Sequence, residues 1–280
     1  MFDLAALEAE LAGTVFACKL HFSPVTGSTN SDAVAAARLG APHGSVYFSD
    51  EQLAGRGRGD HGWISAAGEG LYMSVLFRPR IPAARMAFLP FAAGLAAADA
   101  IRAVSSLAPA PGLEIDLRWP NDLLIGPRKT GGILVEANTD SKSLPHAVVP
   151  YAVVGIGINV HQRAFPPDLA TPATSLDLEA NRHIARQALL LALLKSLQQE
   201  ALALANPDAA KEVAARVEKA STWIRGRRVE VHGPQACSGV TAGLDENGFL
   251  RVATAAGLVT VQTGGLREKP ASSSQLASAK

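Results

Sequence analysis

The 280-residue sequence predicts an α+β chain, with mixed helix and strand patterns over most of its length and a smaller all-β part near its end. Short apolar runs bounded by Gly, Pro, Asn or Asp recur between Ser45 and Val160, which is strand patterning. The alanine- and leucine-rich segments 87–107 and 184–204 have helical length and composition. Beyond Trp223 the texture changes to short β-branched runs separated by turn signals such as Glu246-Asn247-Gly248. The expected division is a larger unit over 1–222, a small β-barrel-like unit over 223–269, and a disordered tail over 270–280, which is polar and lacks aromatics.

Taken in order, "STNSDAVAAARLG" reads as a helix with Asn30 as N-cap, Asp32 in the first turn and Gly40 as terminator. "GSVYFSDEQ" is strand-like. "GLYMSVLFRP" alternates apolar with small or polar residues and stops at Pro79, which suggests a strand at one edge of a buried face. "LEIDLRWPNDLLI" and "TGGILVEANTD" read as two strands joined by a turn at "GPRK". "YAVVGIGINV" is a nearly continuous apolar strand, and Gly155 and Gly157 inside it imply a close backbone neighbour or a ligand. After the leucine-rich helix, Asn206 and Pro207 signal the start of another.

Composition narrows the functional classes. Lys+Arg 26 against Asp+Glu 25 gives a net charge of +1, so the global basic footprint of a non-specific nucleic-acid binder is absent, and no nucleic-acid partner is expected. Cys18 and Cys237 lie far apart with no CxxC pair, which argues against a disulfide framework or a thiolate zinc site and fits a reducing cytoplasm. Asp3, Glu8 and Glu10 stand where an export signal would be basic or apolar. The apolar run 86–98 is interrupted by Pro90 and ended by Asp99, short of the roughly 18 residues of a membrane span, so no membrane partner is expected. The histidines show no HExxH spacing.

The chemistry-bearing residues cluster in a few motifs. "FSDEQLAGRGRGDHGW" places Arg56 and Arg58 among glycines free to expose main-chain N–H groups, an arrangement suited to a phosphate or carboxylate. In "RKTGGILVE", Lys129 precedes a glycine pair and a strand, so it reaches a ligand that backbone approaches closely, or it is an exposed turn lysine. In "RWPNDL", Asn121 and Asp122 make a turn or orient a phosphate through Mg²⁺. Ser28, Thr29 and Asn30 are a helix start or a binding site.

The order and spacing of Ser28-Thr29-Asn30, Gln52, Gly55-Arg56-Gly57-Arg58, Trp63, "WPND", "RKTGGIL" and "GIGIN" resemble the catalytic module of biotin–protein ligases, over about residues 25–265. The resemblance implies a mixed β-sheet with flanking helices, class II synthetase-like and shared with lipoate ligases, plus a small C-terminal SH3-like β-barrel. It implies formation of biotinyl-5′-AMP from biotin and ATP, then transfer of biotin to a lysine of the biotin carboxyl carrier protein domain of acetyl-CoA carboxylase. Family likeness assigns biotin contacts to Ser28, Thr29, Asn30, Gln52, Gly55, Arg56, Arg58, Lys129, Gly132, Gly155 and Gly157. It assigns nucleotide contacts to Arg58, Trp63, Asn121, Asp122, Lys129 and Asn159, with Trp63 stacking on adenine, Arg58 and Lys129 as the catalytic cations, and Mg²⁺ with ATP near Asp122.

Two departures stand out. Gly59, Asp60, His61 and Gly62 replace further basic residues after Arg58, and the loop is expected to be disordered until ligand orders it. Only 27 residues precede Ser28, too few for a helix-turn-helix domain, so the expectation is a ligase without repressor function, monomeric or homodimeric. The competing readings are a lipoate or octanoate ligase or transferase, and a binding module acting through the C-terminal β-unit. The latter has Phe249 nearly alone as a stacking aromatic.

Overall fold

The computed structural model describes residues 2–59, 61–78, 83–106, 112–138, 149–204 and 209–269. Asp60, Asn206, Pro207 and the expected tail 270–280 lie outside them. A seven-stranded mixed sheet has the order β1-β2-β3-β7-β6-β5-β4. Its strands are β1 (Leu20–Thr26), β2 (Ser45–Gln52), β3 (Gly70–Phe77), β4 (Asp116–Arg118), β5 (Asp122–Ile125), β6 (Arg128–Asn138) and β7 (Tyr151–Asn159). Among the described strands of this sheet, β1 and β2 alone pair in parallel, joined by helix α2 (Thr29–Arg38).

The period of two along each strand sorts side chains into two faces. Met73, Val75 and Phe77 of β3 and Val154, Ile156 and Ile158 of β7 enter the main core, with α1 (Leu4–Glu10), α3 (Leu89–Ser105), α5 (Arg186–Leu204) and α6 (Ala209–Lys219). The alternate positions Leu76, Tyr151 and Val153 pack instead under Ala33 and Ala37 of α2. Tyr72, Ser74, Gly155 and Gly157 continue that second face, and the functional residues gather there.

A second sheet of five antiparallel strands follows, ordered β11-β10-β9-β8-β12. Its strands are β8 (Arg225–His232), β9 (Cys237–Leu244), β10 (Leu250–Thr254), β11 (Gly257–Val261) and β12 (Gly265–Glu268).

Several expectations need correcting. Asn30 is not the cap of α2: Ser28 occupies that position in extended conformation, and Asn30 turns inward to side-chain partners. The strand 70–77 is not at an edge; it lies between β2 and β7 with every residue buried. The run 113–125 is two strands, because Trp119-Pro120-Asn121 makes a turn that folds β5 back on β4. Helix α1, strand β1 and the short helix α4 (Leu176–Ala180) were not anticipated.

The helical stretch Arg85–Ser105, formed by a 3-10 turn and α3, is long and apolar enough to cross a membrane by length and composition. Here it is a core helix: Leu95, Ala96, Ala97, Ala100 and Ile101 are buried, and its partners are α5 and the sheet.

Candidate active site

The site grows from the strand register. Tyr72 of β3, Gly157 of β7, Gly132 of β6 and Asp122 of β5 are successive cross-strand partners. Two glycines at the centre of that row leave a trough bare of side chains, and the indole of Trp63 lies in it. A Cβ on Gly157 would fall 2.6 Å from the ring, and one on Gly132 would fall 3.4 Å from it. One row along, a Cβ on Gly155 would fall 2.2 Å from Asn30 Oδ1. Gly155 and Gly157 therefore require glycine for close approach, whereas a Cβ at Gly132 would only touch the ring.

Beside the trough runs a chain of hydrogen bonds. Gln52 Oε1 accepts from the Thr29 amide at 2.9 Å, and Gln52 Nε2 donates to Ser65 Oγ at 2.7 Å. The Thr29 and Ser74 hydroxyls meet at 2.8 Å, and Ser74 Oγ donates to Asn30 Oδ1 at 2.8 Å. Asn30 Nδ2 then donates to Glu136 Oε2 at 2.6 Å, and Glu136 takes both guanidinium arms of Arg56, at 2.9 and 2.8 Å. Sequence motifs point to Thr29, Asn30, Gln52 and Arg56 but not to Ser65, Ser74 or Glu136. Alternation along β6 from Gly132 was the available signal for Glu136.

The described residues of the glycine–arginine loop form a hairpin. Trp63 N donates to Gly55 O, Gly57 N to His61 O, and Gln52 N to Ser65 O. Gly55 does not line the cleft; its role here is packing, since a Cβ would fall 2.3 Å from Trp63 O. The Arg56–Glu136 pair ties the hairpin's stem to β6. An exposed bidentate pair contributes about 0.5–1 kcal/mol, so Glu136→Gln should leave global stability nearly unchanged. Hydrogen exchange of the amides between Arg56 and Gly62 should become several-fold faster in that variant.

Across the trough lies a cluster of cations. Asp122 takes Arg118 Nε at 3.0 Å and Nη2 at 2.5 Å on one oxygen, and Lys129 Nζ at 2.6 Å on the other. Burial acts to raise the Asp122 carboxyl, but Lys129 and Arg118 outweigh it and hold the group below the usual carboxylate range. Arg58 donates to Gly264 O at 2.5 Å and to Thr263 Oγ1, both beside β12 of the second sheet. Its own burial lowers its proton affinity, and the charge of Asp122 opposes that. Lys129 Nζ also sits 5.4 Å from the Trp63 ring centroid. Asn121 exchanges bonds with Ile133, and Asn159 Nδ2 donates to Thr174 O at 3.0 Å, which fixes the flanking turns.

The trough, the cation cluster and most of the hydrogen-bonded chain open on one cleft of about 1020 Å³, with Ser65 and Glu136 just behind its lining. Apart from Gly55, each predicted site residue lines it: Ser28, Thr29, Asn30, Gln52, Arg56, Arg58, Trp63, Asn121, Asp122, Lys129, Gly132, Gly155, Gly157 and Asn159. Sequence reading missed Arg118, Arg163 and Arg267, which also line it. Counting lining side chains, six cations (Arg56, Arg58, Arg118, Lys129, Arg163, Arg267) face two carboxylates (Glu69, Asp122). Glu136, behind the lining, already pairs Arg56, and the positive charge that remains in excess suits an anionic ligand.

The pattern of the biotin/lipoate A/B protein ligase family matches residues 23–159. The biotin–[acetyl-CoA-carboxylase] ligase of Mycobacterium tuberculosis is 35% identical over 250 residues, 85% of each chain. The chain belongs to the biotin/lipoate A/B protein ligase family. The bifunctional ligase/repressor of Bacillus spizizenii is 36% identical over 177 residues, 62% of this chain; the match spans about half, 51%, of that relative's length. Among solved structures, the biotin protein ligase from Aquifex aeolicus in complex with biotin and ATP has a TM-score of 0.74 and 26% identity, covering 91% of this chain and all of that one. The stretch matched to the biotin/lipoate ligase family ends at Asn159, the last residue of β7, and contains the whole trough, the hairpin and the Asp122–Lys129 pair. The second sheet, which holds Arg58, lies beyond it.

Proposed function

We propose that this chain is a biotin–protein ligase, and the single observation that carries the reading is the excess of cations lining one cleft beside a glycine trough. Two anions, the biotin carboxylate and ATP, must be brought together. In the first step a carboxylate oxygen attacks the α-phosphorus of ATP, the bond to the bridging oxygen breaks, and pyrophosphate leaves. Arg58 and Lys129 lower the repulsion between the reactants and stabilise charge gathering on the α-phosphate. In the second step a lysine ε-amine of the acceptor attacks the acyl carbon, and AMP leaves.

The ureido head of biotin requires donors and acceptors, which Ser28, Thr29, Asn30 and Gln52 supply beside the trough. Gly132, Gly155 and Gly157 form its wall, and Arg56 covers it from the hairpin, which the packing of Gly55 against Trp63 O holds closed. The Trp63 indole N–H is buried without a partner. An unmet donor of this kind costs about 1–3 kcal/mol, and a ligand acceptor removes that cost. Trp63 contacts adenine in this reading only after leaving or tilting from the trough. Asn121 and Asn159 lie on the nucleotide side, with Arg58 and Lys129 between the two substrates.

Asp122 suits a counter-ion to Lys129 better than a magnesium ligand, because a dication prefers open oxygen donors and both of these oxygens already face cations. Magnesium therefore enters the reading only as the companion of ATP, with no step assigned to it.

We place the biotin and ATP unit at 1–222 and the small β-unit at 223–269, with an SH3-like barrel proposed for the latter's five short antiparallel strands. The chain acts in the cytoplasm, as a monomer or as a homodimer paired through a sheet edge. Its acceptor is the biotin carboxyl carrier protein domain of acetyl-CoA carboxylase. Incubation of that domain with ATP and either labelled biotin or labelled lipoate tests the proposal. Label should appear on one lysine with biotin only; transfer of lipoate or octanoate in its place would assign the chain to the other branch of the family.

A further inference from the structure

Outside the cleft, one cluster of potential ligands is unexplained by the proposed reaction. His161 lies two residues past the end of β7, Asp177 lies in the first turn of α4, and His183 precedes α5. Asp177 is held firmly: its amide donates to Val160 O at 2.9 Å, and its Oδ1 accepts from the Ile184 amide at 2.8 Å. Its other oxygen, Oδ2, faces His161 Nδ1 at 2.8 Å and His183 Nδ1 at 3.5 Å. The two imidazoles are stacked, 4.5 Å apart at 13°, so the exposed His183 ring has to turn for its nitrogen to share an ion with His161. The three ligand atoms all fall within 4.8 Å of one another.

We propose that His161, Asp177 and His183 form a site for a divalent transition-metal ion of the zinc class. Bonds of about 2.0–2.1 Å in a tetrahedral sphere put neighbouring ligand atoms roughly 3.3 Å apart, and the two distances from Asp177 Oδ2 bracket that value. Two imidazoles and one carboxylate select zinc, cobalt, nickel or copper over magnesium, which takes oxygen donors. Three protein ligands leave a fourth position for water. His183 is 75% exposed, so an ion reaches the site from solvent, while His161 and Asp177 are held in place by the fold.

The location gives the ion a consequence. His161 and Asp177 stand at the two ends of the segment 162–176, whose Gln162, Arg163, Phe165, Leu169 and Thr171 line the cleft. The segment is otherwise tied down by bonds such as Ser175 Oγ to Gln162 O at 2.7 Å. A bound ion adds a clasp across its ends. This inference does not depend on which reaction the cleft performs.

Zinc chloride titrated into the full chain, followed by calorimetry, tests the site directly. The expected result is one ion per chain, with affinity lowered at least about 10-fold in His183→Ala and in His161→Gln and no comparable binding of magnesium chloride. Zinc should also raise the thermal unfolding midpoint of the wild type but not of His183→Ala, since an ion bound only by the folded state stabilises it. His183 is largely exposed, so its loss should leave the fold intact; the midpoint without zinc checks this. Equal zinc affinity in all three proteins, or no zinc uptake by the wild type, would overturn the proposal.

Discussion

Replacing Lys129 by alanine is expected to lower biotin-dependent pyrophosphate release about 100- to 1000-fold in kcat, the usual cost of removing one fixed charge aimed at a transition state. The fold should survive the change. Asp122 keeps Arg118 as its partner, and Lys129's backbone bonds to Pro172 and Thr174 do not involve the side chain. Circular dichroism and the thermal midpoint are therefore the controls. Lys129→Arg should recover only part of the rate, because a planar guanidinium does not reproduce a compact ammonium in a space shared with Trp63. A variant that keeps wild-type kcat would remove Lys129 from the chemistry.

Asp122→Asn is expected to show the largest stability loss, about 3 kcal/mol, at the lower end of what breaking a buried ion pair costs. Arg118 is 9% exposed and Asp122 14%, but Lys129 at 28% remains partly hydrated, which tempers the effect. Losing the carboxylate leaves two cations facing each other across a neutral amide.

The pH dependence supplies a sign. Burial works against the charged carboxylate, yet Lys129 and Arg118 prevail, so the folded-state pKa lies below the ordinary aspartate value of 3.8. A group lowered on folding contributes its full stability above its unfolded pKa and loses it as pH falls through the folded one. The gap between wild type and Asp122→Asn should therefore be constant above about pH 5 and shrink below about pH 4. Urea unfolding at several pH values measures it.

The residues readable from the sequence were those whose chemistry is written locally. Gly155 and Gly157 inside an apolar strand announce a close neighbour, and the fold supplies Asn30 for one and Trp63 for the other. Arg56, Arg58 and Lys129 stand beside glycines, so their exposure to a ligand follows from short-range backbone freedom. Ser74 and Arg118 were not readable in this way, and Glu136 only through alternation along β6 from Gly132. Each becomes part of the site only through strand register, which joins β3, β7, β6 and β5 in an order unrelated to the chain's own. The same applies to His161 and His183, whose common ligand partner Asp177 is brought to them by a five-residue helix with little sequence signal.

Element type was more legible than position. The alternation in 70–77 correctly marked a strand but could not tell an edge from the sheet interior, because burial on both faces depends on α2 as well as α3 and α5. Asn30 was misplaced as a cap because asparagine is a strong capping residue by propensity. Its tertiary partners Ser74 and Glu136 drew it into the helix instead.

Pyrophosphate release from ATP, measured with and without biotin, tests the central claim most directly. Release that depends on biotin, is lost in Lys129→Ala and Arg58→Ala, and is not supported by lipoate is the predicted result. Release that ignores biotin, or that persists unchanged when both cations are removed, would contradict the account.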